Sequence, residues 1–383
     1  MTLKLLLNKI TPFLPNHDGT TVFGLLAILS ALLTQRSVCL NKLKGVMGSI
    51  TGRTNTKPSS HYQFIIRFFK EHSGGELYLE VLRLALQLLP KDHRYLLLDG
   101  TSWQRGGFTQ HYLTLCILYH GVAIPVLWKD LAQFGASSTE DRQDLFDQAL
   151  TYFKLKGKVL LADREYIGRE WFSYLTTNGL DFVIRSRDKA YFDLIDAQLK
   201  GTTVEQLIAK VQRSKKPNKA VRRRFKFADN PTSYWIIIAR NPDPKGKEPY
   251  LILITSLDEV AYQTVKRYLL RWQIEHCFKQ LKSNGFDLEK MNLGTEPRRR
   301  LLMAITVLAY VLSIVEGLLD YIKVVKLKRH GSQGRRYPRE SLFRYGIERL
   351  MVYVDRSYHL ATYIWQKLRY IDPRKPHPFL LNV

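Results

Sequence analysis

Cysteine is scarce in this chain, and its three cysteines stand far apart. Cys39, Cys116 and Cys277 form no CxxC pair, so the sequence indicates neither a disulfide framework nor a thiolate zinc site. The histidines are scattered without metal-ligand spacing, which argues against zinc. The sequence also has no glycine-rich GxxxxGK[ST] loop and no internal repeat. It therefore gives no indication of an ATP requirement or of a repeat fold.

Acidic residues are few relative to basic ones. The chain of 383 residues carries 34 Asp and Glu against 59 Lys and Arg, which gives a formal net charge of +25. This excess is larger than solubility requires and predicts a polyanionic partner, with DNA, RNA and an anionic membrane all open. A hydrophobic content of 45% and an aromatic content of 12% argue against disorder. The length predicts a large core and more than one domain.

A long hydrophobic leader is absent from the N-terminal sequence. The opening MTLKLLLNKITPFLP has no long apolar region and no small-residue cleavage site, so we expect no secretion signal and a reducing, cytoplasmic compartment. The apolar run at 301–319 is nearly long enough to span a membrane. Basic clusters flank both of its ends and Glu316 lies in its last turn. We therefore predict a buried core helix and no membrane partner.

The first 90 residues lack the alternation of strands and carry helical periodicity, most clearly at 21–33 and 77–89. Between these runs, a basic and aromatic helix is predicted to follow a polar loop rich in Gly, Thr, Pro and Ser. This helix carries Arg67 and Lys70. One interpretation is a helix-turn-helix-like contact with DNA, and the other is an ordinary helical hairpin with an apolar core and solvated charges.

From residue 94 onward the pattern changes to that of strands. The apolar runs RYLLLD, HYLTLCILYH and GVAIPVLWKDL follow one another, and His120 and Gly121 separate the last two. His-Gly between two such runs is typical of a hairpin turn. Three antiparallel strands are therefore predicted at the start of this region.

A helix is expected to follow these strands, beginning at Ser137 or Ser138. Glu140 and Asp141 then belong to its first turn, where acids are favourable, and are not candidates for catalysis. The chain continues with a strand at KVLLAD, a helix at about 168–178 and a strand at 181–187. The predicted order is βββαβαβ.

The next interval, residues 188–258, is too long for a direct connection and contains the β-rich runs RRRFKF, YWIIIAR and YLILITS. We therefore predict an inserted β subdomain at 188–258. Its segment RSKKPNKAVRRRFKF is strongly basic and contains no acid. A solvated charge run is the general explanation for such a segment, but in this chain the pattern favours contact with DNA.

After the insert, the segment YLLRWQIEHCFKQLK at 268–282 has helical periodicity with two distinct faces. At about 100° per residue, Tyr268, Arg271, Glu275 and Lys282 fall within one narrow stripe. Leucine, isoleucine, cysteine and phenylalanine occupy the adjacent face, so the helix can bury one side and present the polar stripe to a cleft. A surface helix with an Arg–Glu pair at spacing four is the simpler alternative.

Two carboxylates upstream each end a short apolar run. Asp99 follows RYLLL and Asp163 follows KVLLA, which is how a strand delivers an acid to the rim of a sheet. Taken alone, an Asp after a strand is more often a turn or helix cap residue than a metal ligand. Together with Glu275 they form a carboxylate set of the kind that Mg²⁺ prefers, and two such ions can serve the attacking and leaving oxygens of a phosphoryl displacement.

Asp99, Asp163 and Glu275 resemble the DDE triad of cut-and-paste insertion-sequence transposases. The spacing of Tyr268, Arg271, Glu275 and Lys282 resembles the YREK signature of the insertion sequence four family. The resemblance extends to DGTSW, to DREY, to the RFF tripeptide at 67–69 and to LFRYGIERL at 342–350, and so covers most of the chain.

The resemblance implies a mixed α/β (α+β) fold with a ribonuclease H-like catalytic core. The expected organisation is a helical N-terminal DNA-binding domain at 1–90, the core at 91–187 and 259–320, the inserted β subdomain at 188–258, and a basic linker with a C-terminal helical region at 321–383. Asp99, Asp163 and Glu275 would bind two Mg²⁺ ions, for which Mn²⁺ can substitute.

The activity implied by the resemblance is metal-dependent cleavage of DNA at element ends, a hairpin intermediate and strand transfer into target DNA. The implied partners are double-stranded chromosomal DNA, as element ends and as target, and a second copy of the chain in a synaptic complex. Two alternatives remain open. One is a domesticated, nonenzymatic DNA-binding descendant, and the other is a simple structure-selective nuclease.

DNA contacts are also implied by the resemblance. Tyr268, Arg271 and Lys282 would hold phosphates near the cleaved strand, with the charge-assisted bonds of arginine the strongest. A hairpin bends DNA sharply, so a displaced base is expected to stack on an aromatic side chain. Trp235 in the insert is the candidate, with Trp272 as a rival and a core position for Trp235 as the alternative.

Overall fold

The computed structural model of the protein describes residues 2–89, 93–105, 108–131, 135–186, 189–216, 218–228, 230–242, 248–325, 327–330, 335–374 and 377–381. Six helices come first: α1 Leu3–Ile10, α2 Gly19–Gln35, α3 Leu40–Leu43, α4 Met47–Thr51, α5 Pro58–His72 and α6 Leu77–Gln87. Strands and helices then alternate: β1 Tyr95–Arg105, β2 Phe108–Tyr119, β3 Val122–Asp130, α7 Thr139–Tyr152, β4 Val159–Ala162, α8 Arg169–Thr177 and β5 Asp181–Ser186.

The segment after β5 contains two helices, three strands and a helical region that is interrupted. Its elements are α9 Lys189–Asp196, α10 Val204–Gln212, β6 Ala220–Lys226, β7 Ser233–Arg240, β8 Tyr250–Thr255, α11 Ala261–Tyr268 and α12 Gln273–Leu281. The remaining elements are α13 Glu296–Leu318, α14 Tyr321–Val324, β9 Leu327–His330, β10 Arg335–Pro338, α15 Leu342–Leu350 and α16 Ser357–Leu368. Of the predicted basic linker, residues 326 and 331–334 lie outside the described residues.

Local sequence signals place several of these boundaries. Ser138 is the N-cap of α7, its hydroxyl accepts from the backbone N–H of Asp141, and the Asp141 side chain accepts from Ser138 in return. This capping box satisfies donors that the first helical turn leaves free. The predicted helix start is confirmed, and Asp141 serves the cap and an ion pair with Lys129.

The predicted hairpin turn is also confirmed. His120 has φ 46° and Gly121 has φ 77°, and the flanking residues Tyr119 and Val122 pair across the turn. Two consecutive positive φ angles define the turn that matches the twist of a two-residue hairpin. The order of elements from β1 to β5 is the predicted βββαβαβ.

Eight strands form one sheet in the order β3–β2–β1–β4–β5–β8–β7–β6. β1 runs parallel to β4, and β4 runs parallel to β5. Their residues Leu96–Leu98, Leu160–Ala162 and Phe182–Ile184 are fully buried, as expected for parallel strands covered on both faces. Such uninterrupted apolar runs explain why these strands could be predicted from the sequence.

The three strands of the insert behave differently from the prediction. β8 pairs antiparallel with β5, β7 with β8, and β6 with β7. The region 188–258 was expected to form a subdomain of its own, but its strands extend the main sheet. The reason is that β8 is an apolar strand, with Leu251–Thr255 buried, and it satisfies the backbone groups that would otherwise be left open along β5.

The chain divides into two compact units. The sheet unit comprises residues 92–103 and 108–277, and the helical unit comprises residues 1–91, 104–107 and 278–382. Residues 278–320, which the sequence analysis assigns to the catalytic core, therefore belong with the helical unit. The apolar character of this stretch explains the assignment, because α13 provides the core of that unit.

The helical unit is built around α13, which contacts α2, α5, α6 and α15. α1 and α2 pack on α16, so helices from both ends of the chain share one core. The apolar window of α13 is long and hydrophobic enough to cross a membrane by length and composition, but 89% of it is buried inside the protein. The prediction of a buried core helix is confirmed.

Two glycines allow α13 and α15 to touch through their backbones. A Cβ on Gly346 would lie 1.8 Å from the carbonyl oxygen of Ser313, and a Cβ on Gly317 would lie 2.7 Å from the carbonyl oxygen of Leu342. Real Cβ atoms do not approach backbone oxygens this closely. The LFRYGIERL segment thus contains a glycine that helix packing requires.

Gly346→Ala is therefore expected to destabilise the protein by about 3 kcal/mol or more, because the helices must separate to admit the methyl group. Gly294→Ala is the matched control, since a Cβ on Gly294 would have no neighbouring atom within 4 Å, and its effect should stay within about 0.5 kcal/mol. Urea unfolding of both variants measures the difference. Equal midpoints would show that α13 and α15 are not held this closely.

Candidate active site

Asp99 and Asp163 lie at corresponding positions on neighbouring strands. The residues before them, Leu98 and Ala162, are paired in the parallel register of β1 and β4. The Asp99 carboxylate accepts from the N–H of Gly100 at 2.9 Å, and the Asp163 carboxylate accepts from the N–H of Arg164 at 2.8 Å. Both acids are thus presented on the same side of the sheet unit. The sequence predicted that Asp99 ends its strand, but β1 continues to Arg105, so Asp99 lies within β1.

The third acid comes from a helical segment that is not continuous. α11 ends at Tyr268, a 3₁₀ turn covers Leu269–Trp272, and α12 starts at Gln273. Side chains three residues apart eclipse in a 3₁₀ turn, so Tyr268 and Arg271 align more closely than they would in an α-helix. The sequence predicted one helix here because its apolar spacing fits both geometries.

Arg271 is the centre of the site. Its Nη1 lies 3.4 Å from Asp99 Oδ2, and its Nη2 lies 2.8 Å from Glu275 Oε1 and 3.8 Å from Asp163 Oδ2. The side chain of Arg271 is only 4% exposed, whereas those of the three acids are 21% to 42% exposed. One buried guanidinium therefore joins all three predicted carboxylates, which lie far apart in the sequence.

The carboxylate of Asp99 is held in an unfavourable environment for a negative charge. Burial raises its pKa to about 7, and Asp163 and Glu275 add to the increase, while Arg271 acts against it. Burial lowers the pKa of Arg271, but Tyr268 and the three acids raise it by more, so that the net shift is upward. Near neutral pH, Asp99 is poised to lose its proton as soon as further positive charge arrives.

Tyr268 also faces the acids. Its hydroxyl lies 3.3 Å from Asp163 Oδ1. Burial raises the pKa of Tyr268 to about 12, with Arg271 opposing and Asp163 supporting the shift. The phenol therefore stays protonated and can donate a hydrogen bond to Asp163 or to an anionic ligand.

Residues that the sequence analysis did not single out support the turn that carries Asp163. Glu165 accepts from the backbone N–H of Ser137 at 2.9 Å and from its hydroxyl at 3.2 Å. Arg142, which is buried, donates to the carbonyl oxygens of Ser137 and Glu165 at 2.6 and 3.1 Å. The acid of the DREY segment that follows Asp163 is thus a support for the turn.

Glu248 supports the same region from the insert. It accepts from Arg164 at 2.8 Å and from Arg185, so that two arginines on different strand ends share one carboxylate. No sequence signal pointed to Glu248, because it has no periodic neighbours. Only the pairing of β8 with β5 brings it to Arg185.

The remaining predicted residues have different positions. Lys282 begins a π-helical turn in the helical unit, and burial lowers its pKa while Glu289 opposes the shift. Trp235 on β7 is half-buried, with the Arg222 guanidinium 4.2 Å above its ring. Trp272 is 41% exposed.

Arg67 and Lys70 are exposed on α5 while Phe68 and Phe69 are buried. This pattern fits both interpretations of that helix, as a DNA contact and as part of an ordinary helical hairpin.

The donor set can be compared with the requirements of a divalent cation. Three carboxylates without histidine or thiolate suit a hard ion such as Mg²⁺. In the part of the chain that the structure describes, no three Asp, Glu, His or Cys side chains are close enough to hold one ion, because the guanidinium of Arg271 lies among them. The three carboxylates already lie around the positive guanidinium of Arg271, so the same set of oxygen donors suits a metal cation.

Comparison with known proteins identifies the protein family of the chain. Residues 90–312 match the Transposase DDE domain family. The chain belongs to this family of DDE transposases. Proteins of the family generally use divalent metal ions and act in DNA transposition, which agrees with the carboxylate set. The more specific assignment to the insertion sequence four family stays a prediction.

Among solved structures, this DDE transposase is similar to a cryo-EM structure of the piggyBac transposase synaptic complex with hairpin DNA. The sequence identity is 12% and the TM-score is 0.45, and the similarity covers 94% of this chain and 77% of that chain. A comparison with curated proteins finds no match.

Proposed function

We propose that this DDE transposase mobilises an insertion sequence of the insertion sequence four family by cutting DNA at the element ends and joining them to target DNA. The observation that carries the proposal is the convergence of Asp99, Asp163 and Glu275 on the buried guanidinium of Arg271. A structural ion pair needs one acid for one base, whereas three acids around one base leave excess negative charge that a cation can balance.

The strand order supports a ribonuclease H-like core. Its first five strands are arranged β3–β2–β1–β4–β5, with β2 and β3 antiparallel and β1, β4 and β5 parallel. Asp99 then lies within β1, Asp163 directly follows the adjacent strand β4, and Glu275 lies on a later helix. This is the order that the resemblance implies for that fold.

Asp99, Asp163 and Glu275 would hold the Mg²⁺ ions. When bound, Mg²⁺ supplies an activated water and stabilises negative charge on the phosphate. The residues of the chain have separate tasks. Asp99 releases its proton when positive charge enters, since its pKa is about 7, and Arg271 can exchange its carboxylates for a phosphate, to which it donates two parallel hydrogen bonds.

Tyr268 and Lys282 are proposed to contact DNA. The protonated hydroxyl of Tyr268 is a donor, and it lies beside Asp163. Lys282 supplies a positive charge from the start of the next turn. Neither residue is a metal ligand in this proposal, because ammonium and protonated phenol groups do not coordinate cations.

A hairpin intermediate requires a surface on which an unstacked base can rest. Trp235 is the candidate from the sequence, but Arg222 covers one of its faces and is itself held by Asp258 and by the carbonyl oxygen of Glu259. Trp272 is more exposed and directly follows Arg271. The Arg271 guanidinium lies 5.7 Å from the Trp272 ring, so the greater exposure of Trp272 is what supports it over Trp235 for this role.

Trp272→Ala is expected to reduce hairpin formation about tenfold, because base stacking contributes about 1–3 kcal/mol. Trp235→Ala should have a smaller effect on hairpins. The measurement is the fluorescence of 2-aminopurine placed next to the cleavage position, together with the hairpin yield on a denaturing gel. A larger loss in Trp235→Ala than in Trp272→Ala would return the role to Trp235.

Two DNA ends must be processed together in such a reaction, so we propose a dimer on DNA. Gel filtration of the protein with and without end DNA tests this proposal. A monomer that stays bound to a single end throughout cleavage would contradict it.

The function is tested by incubating the protein with a duplex that contains the DNA flanking its gene, in Mg²⁺ or in EDTA. We expect nicks and hairpins that need Mg²⁺, and strand transfer when a target plasmid is added. Binding without cleavage would instead support a domesticated DNA-binding descendant. Cleavage without strand transfer would support a structure-selective nuclease.

A further inference from the structure

The basic strand β6 forms one edge of the eight-stranded sheet. Arg223, Arg224 and Lys226 on this strand are exposed. Arg222 forms an ion pair with Asp258 at 2.8 Å, whereas the described residues include no ion pair of Arg223 or Arg224. Among the described residues, Arg223 and Arg224 therefore give the outer edge of the sheet positive charge that no ion pair balances.

A cavity lies at the start of this strand. It has a volume of about 430 Å³, and its lining includes Lys216, Lys219 and Tyr262. Lys266 lies 4.7 Å from the centre of the Tyr262 ring, which brings a further ammonium group to that ring. The volume is in the range of small-molecule sites and can accept one phosphate and sugar of a DNA backbone.

The register of the sheet relates this cavity to the acids. One row of paired residues crosses six strands: Leu98, Ala162, Ile184, Ile254, Ile236 and Arg223. Asp99 and Asp163 directly follow the first two residues of the row. β6 runs in the opposite direction to β4. The residues before Arg223, including Lys219, therefore lie toward the end of the sheet at which β4 ends and Asp163 follows.

The row also gives the distance between β4 and β6 across the sheet. Four strand spacings separate β4 from β6, which corresponds to about 19 Å at about 4.8 Å per spacing. Phosphates of one strand of B-DNA repeat about every 3.4 Å, so a backbone extending from the acids to β6 covers about five to eight nucleotides. Both positions belong to the sheet unit.

We propose that Lys216, Lys219 and the exposed arginines of β6 bind the phosphate backbone of duplex DNA about five to eight nucleotides from the cleaved bond. The contact is independent of base sequence, since ammonium and guanidinium groups meet phosphates without reading base edges. This proposal builds on the proposed function, and it names a DNA contact outside the carboxylate site. The competing explanation is that the charges only protect an open sheet edge from pairing with other strands.

The first test needs no cleavage. The affinity of the protein for a duplex of arbitrary sequence is measured in EDTA over a series of salt concentrations. Each lost phosphate contact reduces the magnitude of the negative slope of log affinity against log salt by about 0.9, so K216A/K219A should reduce that magnitude by about two. The control is K154A/K156A, which removes two exposed lysines that precede β4, on the side of the sheet away from Asp163. An equal slope in wild type and K216A/K219A would overturn the proposal.

The second test locates the contact. Single neutral methylphosphonates are placed at successive positions on either side of the cleaved bond of an end duplex. Wild type should bind more weakly when the substitution lies five to eight nucleotides from the bond, and K216A/K219A should not. Equal sensitivity of both proteins at those positions would overturn the proposal. If wild type cleaves DNA but wild type and K216A/K219A have equal salt slopes, the proposed contact is wrong and the proposed function stands. If the two slopes differ but wild type does not cleave DNA, the contact stands and the proposed function is wrong.

Discussion

Glu275→Gln is expected to abolish metal-dependent DNA cleavage while DNA binding persists. Glutamine keeps the length of the side chain and can still accept the hydrogen bond that Arg271 donates at 2.8 Å, but it removes one of the negative charges that would hold the ions. A loss of several kcal/mol of transition-state stabilisation corresponds to a fall in cleavage rate of about 10³-fold or more. The fold should be unaffected, because the Glu275 side chain is 42% exposed.

The measurement is single-turnover cleavage of an end duplex on a denaturing gel, with binding measured separately in EDTA. Glu205→Gln is the control, because Glu205 is an exposed acid in the first turn of α10 and should cleave at the wild-type rate. Cleavage by Glu275→Gln at a rate within a few fold of wild type would remove Glu275 from the catalytic set.

Arg271→Ala is expected to destabilise the metal-free protein, and to do so more at alkaline than at acidic pH. Removing one partner of a buried ion pair costs about 3 kcal/mol or more, and the partial exposure of the three acids places this case at the low end of that range. Removing the guanidinium leaves Asp99, Asp163 and Glu275 without the positive charge with which all three pair.

The pH dependence follows from the pKa of Asp99. Burial already raises this pKa from 3.8 to about 7, and Arg271 lowers it, so the variant must have a still higher value. A carboxyl whose folded pKa exceeds its unfolded pKa stabilises the protein less as the pH rises from the unfolded toward the folded value. Wild type completes this loss near pH 7, whereas the variant continues to lose stability above it.

Urea unfolding in EDTA at about pH 6 and pH 9 measures the effect, and the difference between wild type and Arg271→Ala should be larger at pH 9. Arg240→Ala is the matched control. Arg240 donates to the carbonyl oxygens of Gln212 and Ser214, so its removal should cost the same at both pH values. A pH-independent cost in Arg271→Ala would show that Asp99 does not depend on the guanidinium.

Much of the fold could be predicted because its signals are local. The turn at His120–Gly121 and the cap at Ser138 follow from the preferences of a few neighbouring residues. The extension of the sheet by β8 could not be predicted, since pairing between Ile184 and Ile254 joins segments 70 positions apart and leaves no local trace. The contact of Gly317 with α15 also depends on two distant helices.

The closeness of Asp99 and Asp163 could be predicted for a similar reason. Each follows an apolar run in the sequence, and adjacent parallel strands place such residues side by side. The position of Arg271 among the three acids required the structure, because helical spacing relates Arg271 to Glu275 but not to the strand ends. The same holds for Arg142 and Glu248, whose partners come from other parts of the chain.

The division of the chain into two units has a consequence for its synthesis on the ribosome. The sheet unit is almost continuous in sequence and ends at residue 277, whereas the helical unit combines residues 1–91 with residues 278–382. The N-terminal helices must therefore wait for α13 and α16, and the last of these, α16, is complete roughly 5–20 s after the sheet unit at typical rates of translation. A product that terminates near residue 277 contains all three acids but lacks the helices that complete the core of α1 and α2.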